Sequence, residues 1–271
     1  MLPAAIAAVL LDSRYRLDVR HYNLYSKKLP SGFNGLRITH LSDLHGAEFG
    51  AGNCRLIKTV ARTKPDIIAM TGDFIEGDRG AGSLHQLEQL LSGLRAIAPV
   101  YYVNGNHEWM SGSVSNLTEM LCRLGITYLR NDWVRLDSGG GSIIICGLED
   151  RYRHGAGFTP YKFISEIRSR HPEAYILMLA HRNCWAEIYR ALDVDAILCG
   201  HGHGGIIRLP LIGGVIGVGG GIFPRYTSGH YKTSRYDLIM SRGLGPTRPV
   251  EIPRFLNNPH IPVIELKCEL D

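Results

Sequence analysis

The 271-residue sequence contains six cysteines but lacks any pair with the C-x-x-C spacing of zinc and redox motifs. Two of them, Cys146 and Cys199, lie inside apolar segments, where a free thiol behaves as a small hydrophobic side chain. We therefore expect reduced cysteines rather than disulfides, which favours a reducing compartment. None of the six is expected to bind a metal.

The sequence also lacks an apolar run long enough to cross a bilayer. Residues 2–11 form an apolar stretch of ten residues, whereas a membrane-spanning helix needs about 20. The stretch has neither the basic region nor the small-residue cleavage site of a signal peptide. Three interpretations of this stretch stay open: a short helix, the remainder of a trimmed anchor, or a segment that lies on a membrane surface. Because export is not supported, we expect a protein at the cytoplasmic face, with peripheral membrane association left open.

Clustered basic residues and interdomain linkers are absent as well. The formal charge is +5, but lysines and arginines are scattered, so no nucleic-acid partner is expected. Hydrophobic residues make up 45% of the chain, which excludes a disordered protein. We expect a lead-in over residues 1–35, containing the apolar stretch, an edge strand and a turn at residues 30–32. One domain over residues 36–271 follows, and no obligate protein partner is evident.

The sequence does contain a series of short polar strings, each placed directly after an apolar, β-branched run. Such runs predict buried strands. In a layered α/β fold, ligands bind at the carboxyl ends of the strands, so the strings are expected to meet in one crevice. In chain order they are residues 36–41 before Asp43, Leu44 and His45; residues 67–70 before Gly72 and Asp73; residues 100–103 before Gly105, Asn106, His107 and Glu108; residues 175–179 before His181; and residues 196–198 before Gly200, His201, Gly202 and His203.

Each string taken alone has an ordinary structural interpretation. The Asp-x-His string would place two side chains on one face of any strand. The Gly-Asp pair is common turn chemistry, and Asn106 is a typical helix cap. The Gly-His-Gly-His string is harder to explain in this way, because histidines between glycines pack poorly and imidazole is a common metal ligand. The ordered set as a whole therefore favours a metal site.

The complete set resembles the signature of calcineurin-like metallophosphoesterases, written D-x-H, G-D, G-N-H-[DE], H and G-H-x-H. The resemblance implies two metal ions that share Asp73, with His107 as the proton donor to the leaving group. It also implies an α/β fold, a four-layer α/β/β/α sandwich of two mixed sheets, as in metallo-dependent phosphatases. Under the same pattern, one ion is held by Asp43, His45, Asp73 and His203, and the other by Asp73, Asn106, His181 and His201.

The implied ligands suit two divalent metal ions and an anionic substrate. Carboxylate, imidazole and amide groups together fit Mn, Fe, Zn or Co, among which manganese is favoured. Two such ions about 4 Å apart can share a hydroxide nucleophile and bind the phosphoryl oxygens during in-line displacement. With two aspartates and the hydroxide, the site keeps a net charge of about +1, which attracts a phosphate ester. The general acid His107 would contribute about 10² to 10⁴ in rate.

Helical patterns separate the predicted strands. Ser83 and Gln86 have capping-box spacing, and a leucine stripe over residues 84–94 predicts core packing. The predicted helices cover residues 54–63, 83–97, 116–124, 159–170 and 184–192, and further strands are predicted within residues 206–218, 236–240 and 262–266.

Two features outside the metal ligands stay open. Arg182 follows His181 and either binds a substrate phosphate oxygen or pairs with a carboxylate. The glycine-rich residues 213–221, with Phe223 and Tyr226 after them, form either an apolar mouth to the site or a hairpin with an exposed turn.

The C-terminal part resembles a bacterial branch of the same family whose members are often associated with the membrane or the cell wall. Some members of this branch are named UDP-2,3-diacylglucosamine hydrolases, which cleave a pyrophosphate in glycolipid synthesis. The resemblance implies a phosphodiester or pyrophosphate substrate that is either a small molecule or linked to a lipid. Gly202 and Ile206 stand where the branch more often has threonine and glutamine, which leaves the substrate open. The segments that carry the resemblance are residues 200–205, 208–210, 223–226, 241–245 and 254–259.

Two alternatives to this function remain. The first is a soluble cyclic-nucleotide or nucleic-acid phosphodiesterase, which uses the same chemistry on a different substrate. The second is a scaffold that binds metal without catalysis, whose usual mark is a missing ligand or a replaced His107. Neither mark is present in the sequence.

Overall fold

The structure, a computed structural model, describes residues 2–76, 80–150, 159–218, 221–246 and 253–269. The α-helices of this part are α1 (Leu2–Tyr15), α2 (Cys54–Thr63), α3 (Gly80–Arg95), α4 (Asn106–Met110), α5 (Val114–Arg123), α6 (Pro160–Arg170) and α7 (Trp185–Ile188). The strands are β1 (Asp18–Ser26), β2 (Arg37–Leu41), β3 (Ile67–Thr71), β4 (Val100–Val103), β5 (Thr127–Tyr128), β6 (Asp132–Ser138), β7 (Gly141–Gly147), β8 (Tyr175–Leu179), β9 (Ala196–Cys199), β10 (Arg208–Leu209), β11 (Gly213–Gly214), β12 (Gly229–Lys232), β13 (Asp237–Met240) and β14 (His260–Cys268).

Two mixed sheets of six strands each form the centre of the fold. The first has the order β1-β14-β2-β3-β4-β5, in which β2 to β5 are parallel and β14 is antiparallel to β2. The second has the order β12-β13-β9-β8-β7-β6, in which β13, β9, β8 and β7 are parallel. The carboxyl ends of β2, β3 and β4 are therefore neighbours in one sheet, and those of β8 and β9 in the other.

Three hydrophobic clusters fill the spaces between four layers. The central cluster lies between the sheets and joins Ile38 and Val103 of the first to Ile145 and Leu198 of the second. A second cluster packs α2, α3 and α5 on the outer face of the first sheet, and a third packs α6 and α7 on the outer face of the second. The predicted α/β/β/α sandwich is confirmed. Because both faces of β3 and β8 are covered, every residue of these strands is buried, which explains their continuous apolar sequence.

The N-terminal lead-in joins the first sheet. β1 is its edge strand and runs parallel to β14, from Asp18 beside His260 to Ser26 beside Cys268. The side chains of Leu24 and Phe33 are buried in the central cluster. The apolar residues 2–11 lie in α1, and no helix among the described residues is long and apolar enough to cross a bilayer. The division of the chain at residue 35 stays a prediction.

Most predicted elements agree with the observed ones to within three residues, and two helix ends differ for identifiable reasons. α3 begins at Gly80, so Ser83 lies inside the helix and is not its cap. The first turn of α3 contains two glycines, which have low helix propensity. The sequence therefore predicts a helix that starts three residues later than the observed one. α7 ends at Ile188, four residues before the predicted end, because Tyr189 has a non-helical backbone.

The glycine-rich region contains a hairpin. β10 pairs antiparallel with β11, and the turn between them exposes Leu211 and Ile212. After β11, Ile216 forms a separate antiparallel bridge with Ile222. Of the two interpretations left open by the sequence, the hairpin with an exposed turn is observed.

Candidate active site

The predicted ligands lie at the ends of five parallel strands. The carboxyl ends of β2, β3 and β4 in the first sheet carry the first three polar strings. The carboxyl ends of β8 and β9 in the second sheet carry His181, His201 and His203. Because the two sheets face each other across the central cluster, their carboxyl ends meet in one crevice, as expected for this kind of fold. The crevice is largely closed to solvent, since Asp43, Asp73 and His181 are each 1% exposed or less.

The first group of converging side chains consists of Asp43, His45 and His203. Their ligand atoms all lie within 4.8 Å of one another. The Nε2 atoms of His45 and His203 are 3.2 Å apart, and His203 Nε2 is 3.6 Å from Asp43 Oδ1. These are three of the four ligands that the sequence predicts for one ion.

The second group consists of Asp73, His181 and His201, whose ligand atoms also lie within 4.8 Å of one another. His181 Nε2 is 3.1 Å from His201 Nδ1 and 3.0 Å from Asp73 Oδ2. The same Oδ2 atom is 3.8 Å from Nε2 of His45 in the first group. Asp73 therefore touches both groups, in the position that a shared bridging ligand requires.

Hydrogen bonds orient the side chains of the second group. His181 Nδ1 donates to the carbonyl of Thr71 at 2.7 Å, so its Nε2 faces the crevice and Asp73. The backbone N–H of His107 donates to Asp73 Oδ1 at 2.8 Å, which leaves Oδ2 toward the histidines. A Cβ atom at Gly105 would lie only 2.2 Å from Asp73 Oδ1, so glycine is required there for steric reasons.

Backbone strain is concentrated at these residues. Twelve non-glycine residues have positive φ among the described residues, and five of them are predicted ligands. Such conformations cost of order 1 to 3 kcal/mol and persist at functional sites when the surroundings enforce them. The five are Asp43, His45, Asp73, His201 and His203.

The residues present fit two divalent cations. In each group two ring nitrogens and a carboxylate oxygen converge on one point, and imidazole and carboxylate are the ligand types that bind divalent transition metals. Asn106 Oδ1 is buried without a hydrogen-bond partner, as is Nδ1 of His203. The amide oxygen of Asn106 is the atom predicted to complete the second group.

Burial sets the protonation of the histidines and aspartates. Desolvation lowers the pKa of His201 to about 3 and that of His203 well below its ordinary value, so both are neutral and able to bind a metal. Burial alone would lower the pKa of His181, but the charge of Asp73 raises it to about 10. The His181 charge in turn holds the pKa of Asp73 well below its usual range, although burial opposes this. The crevice thus favours positive charge beside Asp73.

Glu76 is a functional residue that the sequence analysis missed. It is buried, and its carboxylate lies between two site histidines, with Oε1 3.2 Å from His107 Nδ1 and Oε2 3.5 Å from His45 Nδ1. Burial would raise the pKa of Glu76, but its hydrogen bonds with His107 and His45 lower it to about 2, so it is ionised. A glutamate three residues after Asp73, beyond the apolar pair Phe74 and Ile75, was the signal that could have revealed it.

Glu108 holds the motif loops together. It is fully buried and accepts the backbone N–H groups of Asp73, Phe74 and Gly105 at 2.7 to 2.8 Å, and the Tyr102 hydroxyl at 2.9 Å. The acidic last position of the Gly-Asn-His-Glu string is thus structural. It fixes the loop after β3 against the start of α4.

Arg182 lies at the rim of the crevice. Its guanidinium forms a two-point ion pair with Asp150, with Nε 2.6 Å from Oδ2 and Nη2 3.1 Å from Oδ1. Its Nη1 is 3.4 Å from His201 Nε2. Of the two interpretations left open, carboxylate pairing is the one observed, and contact with a substrate phosphate stays a prediction.

Comparisons with known proteins agree with this geometry. A family model described as calcineurin-like phosphoesterase matches residues 36–205, which include every predicted ligand. The uncharacterized metallophosphoesterase YkuE of Bacillus subtilis is 30% identical over 258 residues, which cover 93% of this chain and 86% of the relative. Phosphodiesterase YaeI of Escherichia coli is 29% identical over 199 residues, which cover 72% and 69% of the two chains.

A solved structure of TT1561 from Thermus thermophilus has the same fold, with a TM-score of 0.53 and 10% identity over 78% of this chain and 90% of the other. None of these names supports the glycolipid-hydrolase branch, which stays a prediction. Members of the matched family bind divalent metal ions in a dinuclear site, and the two ligand groups described above have that arrangement. This chain is a metal-dependent phosphoesterase and belongs to the calcineurin-like phosphoesterase family.

Proposed function

We propose that the enzyme hydrolyses a phosphodiester or a pyrophosphate with two divalent ions, manganese being favoured. The observation that carries the proposal is the contact of a single carboxylate oxygen, Asp73 Oδ2, with histidines of both ligand groups. Asp43, His45, Asp73 and His203 would hold one ion, and Asp73, Asn106, His181 and His201 the other. When bound, two such ions activate water and neutralise the phosphoryl oxygens.

His107 is the group that we assign to protonate the leaving oxygen. Its ring is partly exposed and stands edge-on to His45, with the ring centroids 4.6 Å apart, so it lies beside the ligands without belonging to either group. Contact with Glu76 and the charge of Asp73 raise the pKa of His107, although its burial acts in the opposite direction. Glu76 therefore favours the protonated form of His107, which is the form that can donate a proton.

Metal content and hydrolysis test this proposal together. We expect the purified enzyme to bind about two equivalents of metal and to cleave a chromogenic phosphodiester. Stripping with a chelator should abolish hydrolysis, and added Mn²⁺ should restore it. A histidine outside both groups should not matter for this result. His230 pairs with Asp237 at 2.6 Å on the protein surface, so the His230→Gln variant should bind the same amount of metal and keep the parent activity. Full activity of the stripped enzyme would contradict the proposal.

For the substrate, we propose a nucleotide-linked glycolipid precursor such as UDP-2,3-diacylglucosamine. The hairpin formed by β10 and β11 begins five residues after His203 and carries highly exposed apolar side chains. It borders a groove of about 550 Å³ that also contains Arg208 and Arg225. Among the described lining residues none is acidic, so the groove suits a ligand with an apolar part and a negative charge. A soluble nucleotide diester is the alternative substrate.

We further propose that the enzyme associates reversibly with a membrane, at the cytoplasmic face. On α1, Ile6 and Leu11 are exposed apolar side chains, and the adjacent α2 exposes Arg55, Lys58 and Arg62 on one face. A groove between the two helices is lined by residues of both. Apolar side chains next to a basic face are typical of segments that lie on an anionic lipid surface.

Vesicle sedimentation tests both the lipid surface and the substrate. The enzyme should sediment with vesicles that contain phosphatidylglycerol, and removal of residues 1–11 should weaken this. Lys58→Gln with Arg62→Gln should weaken it about 30-fold, since each basic residue near an anionic surface contributes about 1 kcal/mol. The nucleotide-linked acyl sugar should have a higher kcat/KM than a soluble nucleotide diester.

The matched control for this experiment is Lys162→Gln with Arg170→Gln, which removes the same two charges from the exposed face of α6. This variant should sediment as the parent does. If the parent stays in the supernatant and prefers the soluble diester, both the membrane and the glycolipid proposals are wrong, whereas phosphodiester hydrolysis is unaffected.

A further inference from the structure

Arg254 is a buried cation with an unusual set of partners. Its side chain donates to four backbone carbonyls, those of Arg242, Gly243, Gly245 and Asn257, and among the described residues it has no carboxylate partner. The residue is 6% exposed, and burial lowers its pKa to about 9. A buried charge without a hydrogen-bonded carboxylate is costly, which points to a role for Arg254 beyond filling space.

The carbonyls that Arg254 binds belong to a loop resting directly on a predicted metal ligand. In this loop, the Leu244 N–H donates to the carbonyls of Ser42 and Asp43, and the Gly245 N–H donates to that of Asp43 at 2.6 Å. A Cβ atom at Gly243 would lie 2.7 Å from Asp43 Cβ. The loop thus holds the strained, left-handed backbone of Asp43.

Asn257 extends the same arrangement to a second ligand. It is fully buried, and its Nδ2 donates to the carbonyl of His203 at 2.8 Å and to that of Ile206 at 3.0 Å. The carbonyl of Asn257 in turn accepts from Arg254 Nε at 2.8 Å. Arg254 and Asn257 together therefore connect the backbone of Asp43 with the backbone of His203.

The two connected ligands are predicted for the same ion, and the ligands of the other ion are held differently. His181 is oriented by the carbonyl of Thr71, and Asp73 by the N–H of His107. Neither of these hydrogen bonds involves the C-terminal segment. His201 is linked to Asp43, since its backbone N–H donates to the Asp43 carboxylate at 2.9 Å, but its ring takes no part in that bond. A disturbance at Arg254 should therefore weaken binding of the ion shared by Asp43 and His203 more than binding of the other ion.

We propose that Arg254 and Asn257 form a clamp that positions Asp43 and His203, and so sets the affinity of the enzyme for the ion that these residues share. The inference rests on the two-ion function proposed above. Neither residue of the clamp is a predicted metal ligand, and their side chains donate to backbone carbonyls. Both are positioning residues, which act through the backbone of the ligands.

The test measures Mn²⁺ binding by calorimetry in two full-length variants, each of which retains only one of the two proposed ion sites. The His201→Ala variant keeps the ion shared by Asp43 and His203, and the His203→Ala variant keeps the other. Adding Arg254→Lys, which retains the charge but cannot reach four carbonyls, should weaken Mn²⁺ binding about 10- to 100-fold in the His201→Ala background. In the His203→Ala background the change should be below about threefold.

Arg168 offers a matched control. It also donates to backbone carbonyls, those of His171, Pro172, Ala174 and Asp193, but on the helix side of the second sheet and away from the crevice. Arg168→Lys should lower the melting temperature without changing Mn²⁺ affinity in either background. If Arg254→Lys does not fold, Asn257→Ser, which removes the bonds to His203 and Ile206, should have the same selective effect.

Two results would overturn the clamp. Equal weakening in both backgrounds would mean a general structural role, and no weakening in the His201→Ala background would mean that the clamp does not act on the ligands. Failure of the two-ion function is distinguishable, because the unmodified enzyme would then bind fewer than two equivalents of Mn²⁺. In that case the clamp proposal falls with it.

Discussion

Replacing Asp73 by asparagine will lower kcat/KM by at least about 10³-fold and reduce the metal content below two equivalents. Its Oδ2 contacts the rings of histidines from both ligand groups, at 3.0 Å from His181 and 3.8 Å from His45. Asparagine has the same shape and its oxygen can still accept from the N–H of His107, so the fold should survive. The lost negative charge is worth several kcal/mol of ion binding, and each 1.36 kcal/mol corresponds to tenfold in rate.

Elemental analysis and rates on one phosphodiester measure this result. The His45→Gln variant is the comparison, because His45 is a predicted ligand of one of the two ions, so its loss should leave the other ion bound. Asp137→Asn is the control for the chemical change itself, since Asp137 is a surface residue paired with Arg135. Two full equivalents of metal in Asp73→Asn would show that Asp73 does not bridge.

The sequence was sufficient for the strands that carry the predicted ligands and for most of the crevice. Each predicted ligand follows an apolar run. Because the run predicts a buried strand and the polar residue after it marks the carboxyl end of that strand, both can be recognised within a short stretch of sequence. The strands at Val100–Val103 and Tyr175–Leu179 have the predicted bounds for this reason. The structure brings the six predicted carboxylate and imidazole ligands together in two groups, within 4.8 Å in each group.

What the sequence could not reveal depends on contacts between distant segments. Asn257 binds the carbonyl of His203, 54 positions away, and β1 pairs with β14 from the opposite end of the chain. The spacing of apolar residues along the sequence predicts single strands and helices, but it does not specify which distant segments contact each other. Glu76 was missed for a different reason, since a single glutamate among apolar residues has a role only when the histidines beside it are known.

The second large effect is expected at His107. His107→Gln should retain both metals but lose about 10² to 10⁴ in rate on esters with poor, high-pKa leaving groups, which need a proton. Loss should be much smaller on nitrophenyl esters, whose leaving groups depart as anions. The ring of His107 contacts Glu76 and His45 and is not a predicted ligand of either ion, so its removal should leave ion binding intact.

The pH dependence distinguishes proton donation from a structural role of His107. A general acid works while protonated, so the rate on a poor leaving group should fall as pH rises through the pKa of His107. Glu76 contributes to the raised pKa of that imidazole, although burial opposes it. Glu76→Gln removes this negative charge, so the falling limb of the pH profile should move to lower pH, while the profile on a nitrophenyl ester stays in place. Equal losses on both kinds of ester in His107→Gln, or an unmoved limb in Glu76→Gln, would assign His107 to phosphate binding instead.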